Sequence, residues 1–151
     1  MKTYRIAFVL LALNSPALAN TWSVPGDFSG IQEALDAASS GDTVFVGPGT
    51  YAAPFVFQMN CKLISTDGPA TTIIDGGGTS ASLVEMIHKN ETTMLQGFTI
   101  RGADGGTPVS QDGTLIVGGG LRILAGGPVI DDCIFEDNHS GYGGAIHSGG
   151  S

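Results

Sequence analysis

The sequence predicts an all-β protein built as a solenoid of stacked strands, with one short helix at its N-terminal end. Two repeats carry this. Gly118-Gly119-Gly120-Leu121-Arg122-Ile123 returns 25 residues later as Gly143-Gly144-Ala145-Ile146-His147-Ser148, and Phe98-Thr99-Ile100-Arg101 returns 35 residues later as Cys133-Ile134-Phe135-Glu136. Both pairs alternate apolar and polar residues in short runs that end in turn residues. Self-similarity at a spacing of roughly 20–50 residues marks a solenoid, in which no unit buries its face without neighbours. Glycine is the third observation. It makes up 24 of 151 residues, more than twice the usual ~7%. The glycines fall between β-type runs rather than at every third residue, which excludes collagen, and a hydrophobic fraction of 42% argues against disorder.

Residues 1–19 read as a signal peptide. Lys2 and Arg5 precede the apolar run Ile6 to Leu13, and Ala17-Leu18-Ala19 is a small-residue cleavage pattern. The apolar run is far short of the ~20 residues a membrane-spanning helix needs, so no transmembrane segment is expected and the mature chain starts at Asn20. Residues 20–42 form an N-terminal cap with an amphipathic helix over Ser29 to about Ser40. Ser29-Gly30-Ile31-Gln32 has capping-box spacing, Ile31, Leu35 and Ala38 form one stripe, and Gly41 stops the helix. On that expectation Ser29→Ala costs about 1 kcal/mol.

Residues 43–151 then carry the stacked strands as one domain. Thr43-Val44-Phe45-Val46 is a strand and Gly47-Pro48-Gly49-Thr50-Tyr51 a turn. Pro54 to Phe57, Lys62 to Ser65 and Thr71 to Ile74 are further strands, the last stopped by Asp75-Gly76-Gly77-Gly78. Leu83 to Ile87 and Met94 to Ile100 continue the pattern, and Gly102 to Gly113 reads as a bulging loop. A sandwich or barrel fits such spacing too. The scarcity of two-residue hairpin turns and the like-for-like repeats favour parallel stacking.

Without the signal peptide, Lys62, Lys89, Arg101 and Arg122 face 14 acidic residues, a net charge of −10. Such a surface excludes nucleic acid and anionic lipid as partners, because phosphate binding needs a basic patch. It tolerates Ca²⁺ and neutral sugars. Cys61 and Cys133 raise the question of a disulfide in an exported chain. Their alternating neighbours and their separate rungs fit two small buried apolar residues better than a bridge.

The run Gly26-Asp27-Phe28-Ser29-Gly30-Ile31-Gln32-Glu33-Ala34-Leu35-Asp36-Ala37-Ala38, then Gly41-Asp42-Thr43-Val44 and Gly49-Thr50-Tyr51, resembles the N-terminal part of right-handed parallel β-helix proteins of the pectin-lyase-like superfamily. Thr72-Ile73-Ile74-Asp75-Gly76 and Gly97-Phe98-Thr99-Ile100 are similar to its coils. Phe135-Glu136-Asp137-Asn138 and Gly143-Gly144-Ala145-Ile146 resemble the paired FxxN and GGAI signatures of polymorphic outer membrane protein repeats. The resemblance implies a right-handed parallel β-helix whose helix covers the first coil, as a solenoid's solubility requires.

On the coil alignment Val84, Leu121 and Ile146 share an inward core column, so Glu85, Arg122 and His147 share the outward column beside it, with strands ~4.8 Å apart. A carboxylate, a guanidinium and an imidazole in a row can bind a sugar acid or move a proton; a solvated charge ladder is the simpler account. Asp104, Asp112, Asp131, Asp132, Glu136 and Asp137 keep Ca²⁺ as a candidate ligand, although no EF-hand or nonapeptide spacing is present. No other cofactor and no catalytic residue is assigned. Pectin methylesterases work with two aspartates and an arginine on adjacent coils. Asp132-Cys133-Ile134-Phe135-Glu136 echoes their DFIFG motif only weakly, and the glutamine motif expected before it is missing between Ile100 and Asp132. His88 and His139 have no metal spacing. Asn90-Glu91-Thr92 and Asn138-His139-Ser140 match the glycosylation pattern.

The expected function is that of an exported, non-catalytic segment of a cell-surface or secreted protein, structural, adhesive or glycan-binding. Its expected partner is a polysaccharide or a host or cell-surface component, and its place is secreted, periplasmic or on the outer surface of a bacterial cell. The alternative is the N-terminal part of a carbohydrate-active enzyme, of the polysaccharide lyase or pectin esterase type, with catalytic coils beyond residue 151. Ending at Gly149-Gly150-Ser151 just after a repeat begins, the chain is expected to continue in a longer chain or to dock on a partner.

Overall fold

The computed structural model describes residues 18–105, 119–141 and 143–150. The elements run β1 (Thr21–Val24), α1 (Ile31–Ala37), β2 (Thr43–Val46), β3 (Gly49–Ala52), β4 (Phe55–Val56), β5 (Lys62–Ser65), β6 (Thr72–Thr79), β7 (Val84–Ile87), β8 (Met94–Gln96), β9 (Thr99–Ala103), β10 (Leu121–Leu124), β11 (Val129–Asp131), β12 (Ile134–Glu136) and β13 (Ile146–Gly149). They form three parallel sheets in the orders β1-β2-β5-β8-β11, β12-β9-β6-β3 and β13-β10-β7-β4. From β2 onward the chain therefore visits the three sheets in strict rotation, four times. The class is all-β with one short helix, and every strand pair among the described residues is parallel.

Register explains the core. Val44, Leu63 and Leu95 stack in one sheet, Ile74 and Ile100 in the second, and Val84 and Leu121 in the third, all fully buried. Removing such a side chain costs ~2–5 kcal/mol through lost burial plus the cavity left behind. The columns thin out at the last circuit. Ile130 and Phe135 are only partly buried, and Ile146, expected in the core, is 42% exposed. It continues the Val84–Leu121 column, but no described strand lies over it.

The glycine-led repeat is a contact requirement. A Cβ at Gly119 would overlap the Gly144 carbonyl oxygen, and one at Gly120 would come within 2.8 Å of the Ala145 carbonyl oxygen and 3.0 Å of the Phe135 ring. Successive layers meet there backbone to backbone. The FxxN residues serve the same stacking: Phe135 lies over Ile100, and the Asn138 side chain donates to the Ile100 carbonyl at 2.8 Å while accepting the Ala103 amide at 3.1 Å. Its amide is thereby committed inward, which counts against Asn138 as a glycan acceptor.

Corners recur in register. Residues with left-handed φ follow the strands at His88 (54°), Ala125 (48°) and Gly150 (87°) in one sheet and at Gly97 (81°) and Asp132 (45°) in another; in the third, Asp137 (50°) follows β12 and its counterpart Gly102 (76°) lies near the end of β9. Gly97 also breaks the expected single strand Met94 to Ile100 into β8 and β9, which belong to different sheets. Only the corner from the second sheet to the third varies widely in length. It is Ala53–Pro54 after β3, residues 80–83 after β6, 104–120 after β9 and 137–145 after β12, yet Phe55, Val84, Leu121 and Ile146 stay in register.

Several expectations need correction. The helix is shorter, Ile31–Ala37, with Gly30 at its N-cap and no side-chain cap bond. Ser29 Oγ instead donates to Glu33 at 2.8 Å, so the capping box does not form. Gln32 is drawn away because its carbonyl accepts the Val56 amide at 2.8 Å and its nitrogen donates to the Val56 carbonyl at 3.2 Å, tying α1 to β4. The stripe holds: Ile31, Ala34, Leu35 and Ala38 are buried. Gly49–Ala52 is a strand rather than a turn, since Gly47-Pro48 completes the corner and Thr50 and Tyr51 favour extended backbone. The Asp75–Gly78 stop lies inside β6, whose register with β9 becomes irregular between Asp75 and Thr79. β9 runs to Ala103, inside the expected loop; the rest of that loop from residue 106 on, and residues 1–17 of the signal peptide, lie outside the described residues. β1 and β11 escaped the sequence reading. Both cysteines are free; Cys61 is buried, but Cys133 is only half-buried because it sits on the last circuit.

The N-terminal end is fastened by Asp42, which exposes 2% of its surface. Its carboxylate accepts the amides of Asn20 (2.7 Å) and Ser39 (2.9 Å) and the Trp22 indole N–H (3.3 Å), joining β1, the end of α1 and the start of β2. The Trp22 ring meets Phe28 edge-on, with centroids 5.5 Å apart. No helix among the described residues is long and apolar enough to cross a membrane.

Candidate functional site

Glu85, Arg122 and His147 are brought together as the repeat spacing predicts. β7, β10 and β13 place them side by side on the outer face of one sheet, in direct register. Arg122 Nη1 lies 3.1 Å from Glu85 Oε1, with both side chains about one-quarter exposed. The pair is monodentate. Arg122 Nε is buried without a hydrogen-bond partner among the described residues, and none joins His147 to Arg122. A partly exposed pair of this kind contributes ~0–1 kcal/mol to stability.

A second column forms on the neighbouring sheet. Asp75, Arg101 and Glu136 are in register on β6, β9 and β12. Arg101 Nε donates to Asp75 at 3.0 Å, and its Nη1 reaches Glu136 at only 3.8 Å. The Gly77 amide, at 2.9 Å, and then Arg101 hold the Asp75 carboxyl below the usual aspartate range. This column was not identified as a site from sequence. The signal was there: the repeat that equates Arg101 with Glu136 extends back one layer to Asp75.

Beyond this column, at the variable corner, a cleft of about 430 Å³ is lined by Gly78, Gly102, Ala103, Asp104, Asp137 and His139. Backbone bonds hold its walls: Asp104 N–H to the Thr79 carbonyl (2.8 Å), Gly105 N–H to that of His139 (2.7 Å) and His139 N–H to that of Ala103 (2.8 Å). Among the described residues the Asp104, Asp137 and His139 side chains form no hydrogen bonds, so they are free to meet ligand hydroxyls. A smaller groove of about 370 Å³ runs between α1 and β3, but Gln32 and Tyr51 there are engaged with the Val56 backbone and the Gly47 carbonyl.

The other sequence candidates scatter. Asp131 accepts the Gln96 amide at 2.6 Å, Asp132 is an exposed corner residue outside both columns, and Asp112 lies outside the described residues. Among the described residues no three His, Cys, Asp or Glu side chains converge to hold a metal ion. His88 is an exposed corner residue. Asn90 closes a local turn by accepting from the Thr92 amide and hydroxyl. Burial pushes the Cys61 thiol up to about 11 and raises that of Cys133, opposite to what a reactive thiolate needs.

Comparison of the chain with protein-family models, curated proteins and solved structures returns no match. The residues and their geometry alone carry the functional reading.

Proposed function

We propose that the chain is an exported segment of a right-handed parallel β-helix, of the pectin-lyase-like kind with polymorphic outer membrane protein-type repeats, serving as a non-catalytic structural or adhesive stalk. The single observation that carries this is the fourfold rotation of the chain through three parallel sheets in constant register. A rod with layers backed glycine against glycine suits spacing and display. Arg101 and Arg122 are each taken up by a carboxylate of the adjacent layer, which favours a ladder that stiffens the stack over a base held ready for chemistry.

Arg101 between two carboxylates, beside an open cleft, favours a second reading as part of a carbohydrate-active protein, with the cleft binding a glycan. Incubation with pectin and polygalacturonate, followed by uronic-acid and methanol assays, separates the two. Release above the level of an Arg101→Ala, Arg122→Ala double variant would sink the stalk reading. Glycan binding without turnover, lost on Asp104→Ala and Asp137→Ala but not on Arg122→Ala and His147→Ala, would place an adhesive role at the cleft.

A further inference from the structure

Among the described residues, hydrogen bonds to the fold begin at Asn20. Leu18 and Ala19 before it are exposed and make none. The Asn20 carbonyl accepts the Thr43 amide at 2.9 Å, and its own N–H donates to Asp42 Oδ1 at 2.7 Å. Asp42 is buried, yet among the described residues it forms no ion pair. Every donor it receives is neutral: the amides of Asn20 and Ser39 and the Trp22 indole. The other titratable groups around it are committed or turned away. Burial pushes the Cys61 thiol up to about 11. Lys89 gives its Nζ to the Gln58 carbonyl at 2.8 Å, and Lys62 stands on the outer face of β5 beside Thr43. A buried carboxylate without a counter-charge costs stability.

We infer that removal of residues 1–19 supplies the missing charge: the α-ammonium of Asn20, released by cleavage after Ala19, pairs with Asp42 and latches the N-terminal end of the stack. The inference rests on the reading of residues 1–19 as a signal peptide. Hydrolysis of the Ala19–Asn20 bond takes up one water, leaving a carboxylate on Ala19 and an α-amine on Asn20. That amine is protonated at neutral pH, since its ordinary pKa is ~7.7–8.0. The nitrogen already stands at bonding distance from Asp42, so the backbone need not move. A charge-assisted hydrogen bond is roughly twice as strong as a neutral one, so the chain tightens once the leader is gone. Pairing raises the amine's pKa in the folded state. Its contribution is therefore fully present below the unfolded value and lost as pH rises through the folded one. The Asp42 carboxyl, held below its usual 3.8 by the Ser39 and Asn20 amides, sets the acid limit.

The test expresses the full chain with its leader through a bacterial secretory route, and N-terminal sequencing of the product should read Asn20. Its stability in urea is compared with that of the same chain begun one residue earlier, at Ala19, which turns the Asn20 nitrogen back into an amide. At neutral pH the chain that starts at Asn20 should have an about ten-fold lower unfolding constant. This advantage should shrink from about pH 8 to about pH 10, and again below about pH 4. Followed by nitrogen-15 NMR, its α-amine should titrate about one unit above that of the chain that starts at Ala19. Asp42→Asn should abolish the stability difference; if that variant is too unstable to compare, the titration decides. A first residue other than Asn20 overturns the signal-peptide reading and the inference with it. A start at Asn20 with equal stability of the two chains, equal titration of the two amines, or a difference that survives Asp42→Asn overturns the latch alone.

Discussion

Replacing Asp42 by Asn changes one atom and tests how the N-terminal end is fastened. The carboxylate accepts three donors, the amides of Asn20 and Ser39 and the Trp22 indole. An asparagine keeps one oxygen and turns an NH₂ group toward the rest, so the Ser39 amide and the indole would face a donor. Hydrogen bonds to a charged group contribute ~1.5–3 kcal/mol each, and the Trp22 bond at 3.3 Å belongs at the weak end, so the variant should lose about 2–4 kcal/mol. Urea denaturation at pH 7 measures it. A pH arm adds the sign. The amides of Ser39 and Asn20 outweigh burial and hold the Asp42 carboxyl below its usual 3.8. The ionised folded form is thus favoured, and this stabilisation is fully present above the unfolded pKa. It falls as pH drops through the folded value. The gap between wild type and Asp42→Asn should therefore be flat from about pH 5 to 8 and close below about pH 4. A loss under about 1 kcal/mol, or a gap that widens in acid, would refute the account.

Gln32→Ala should cost about 1–2 kcal/mol by orphaning the Val56 amide and carbonyl, whereas Ser29→Ala should stay within about 0.5 kcal/mol; equal losses on chemical denaturation would restore the capping box. Ala125 sits at φ 48°, where a Cβ costs roughly 1–2 kcal/mol, so Ala125→Gly should stabilise by up to about 1 kcal/mol after the unfolded-state entropy of glycine is subtracted. A double-mutant cycle on Glu85 and Arg122 should return a coupling of about 0–1 kcal/mol; a larger value would mean that the pair is more than an exposed rung. Cys61 should resist iodoacetamide in the native protein at pH 8, given its burial and its raised thiol, and react once urea unfolds the chain; rapid native labelling at Cys61 would show that the core opens there.

What could be read in advance depended on whether the cause was local. Repeat spacing placed Leu121 over Val84 and Arg122 over Glu85, because a parallel register copies side-chain direction from layer to layer. The helix stripe was readable for the same reason, since Ile31, Leu35 and Ala38 follow one period. Its cap was not, because the partner that claims Gln32 is Val56, on another element. β1 was missed: its alternation is short, and it forms only by pairing with β2. The division of Met94 to Ile100 turned on the backbone of a single glycine, Gly97. Half of the second charge column was visible in the Arg101–Glu136 equivalence. The cleft beside it was not, since it is lined by residues from three separate circuits.

The corner between the second and third sheets has a practical meaning. It holds two residues after β3 and residues 104–120 after β9, yet the strands that follow it align side by side. Chain added there changes the closure entropy only slowly, about 0.6 kcal/mol per doubling of loop length. The cleft walls of Asp104, Asp137 and His139 come from this same corner. New segments can therefore be accepted there, and the surface around the cleft reshaped, while the buried columns keep their partners. For grafting an epitope or a binding loop onto this protein, that corner is the place to cut.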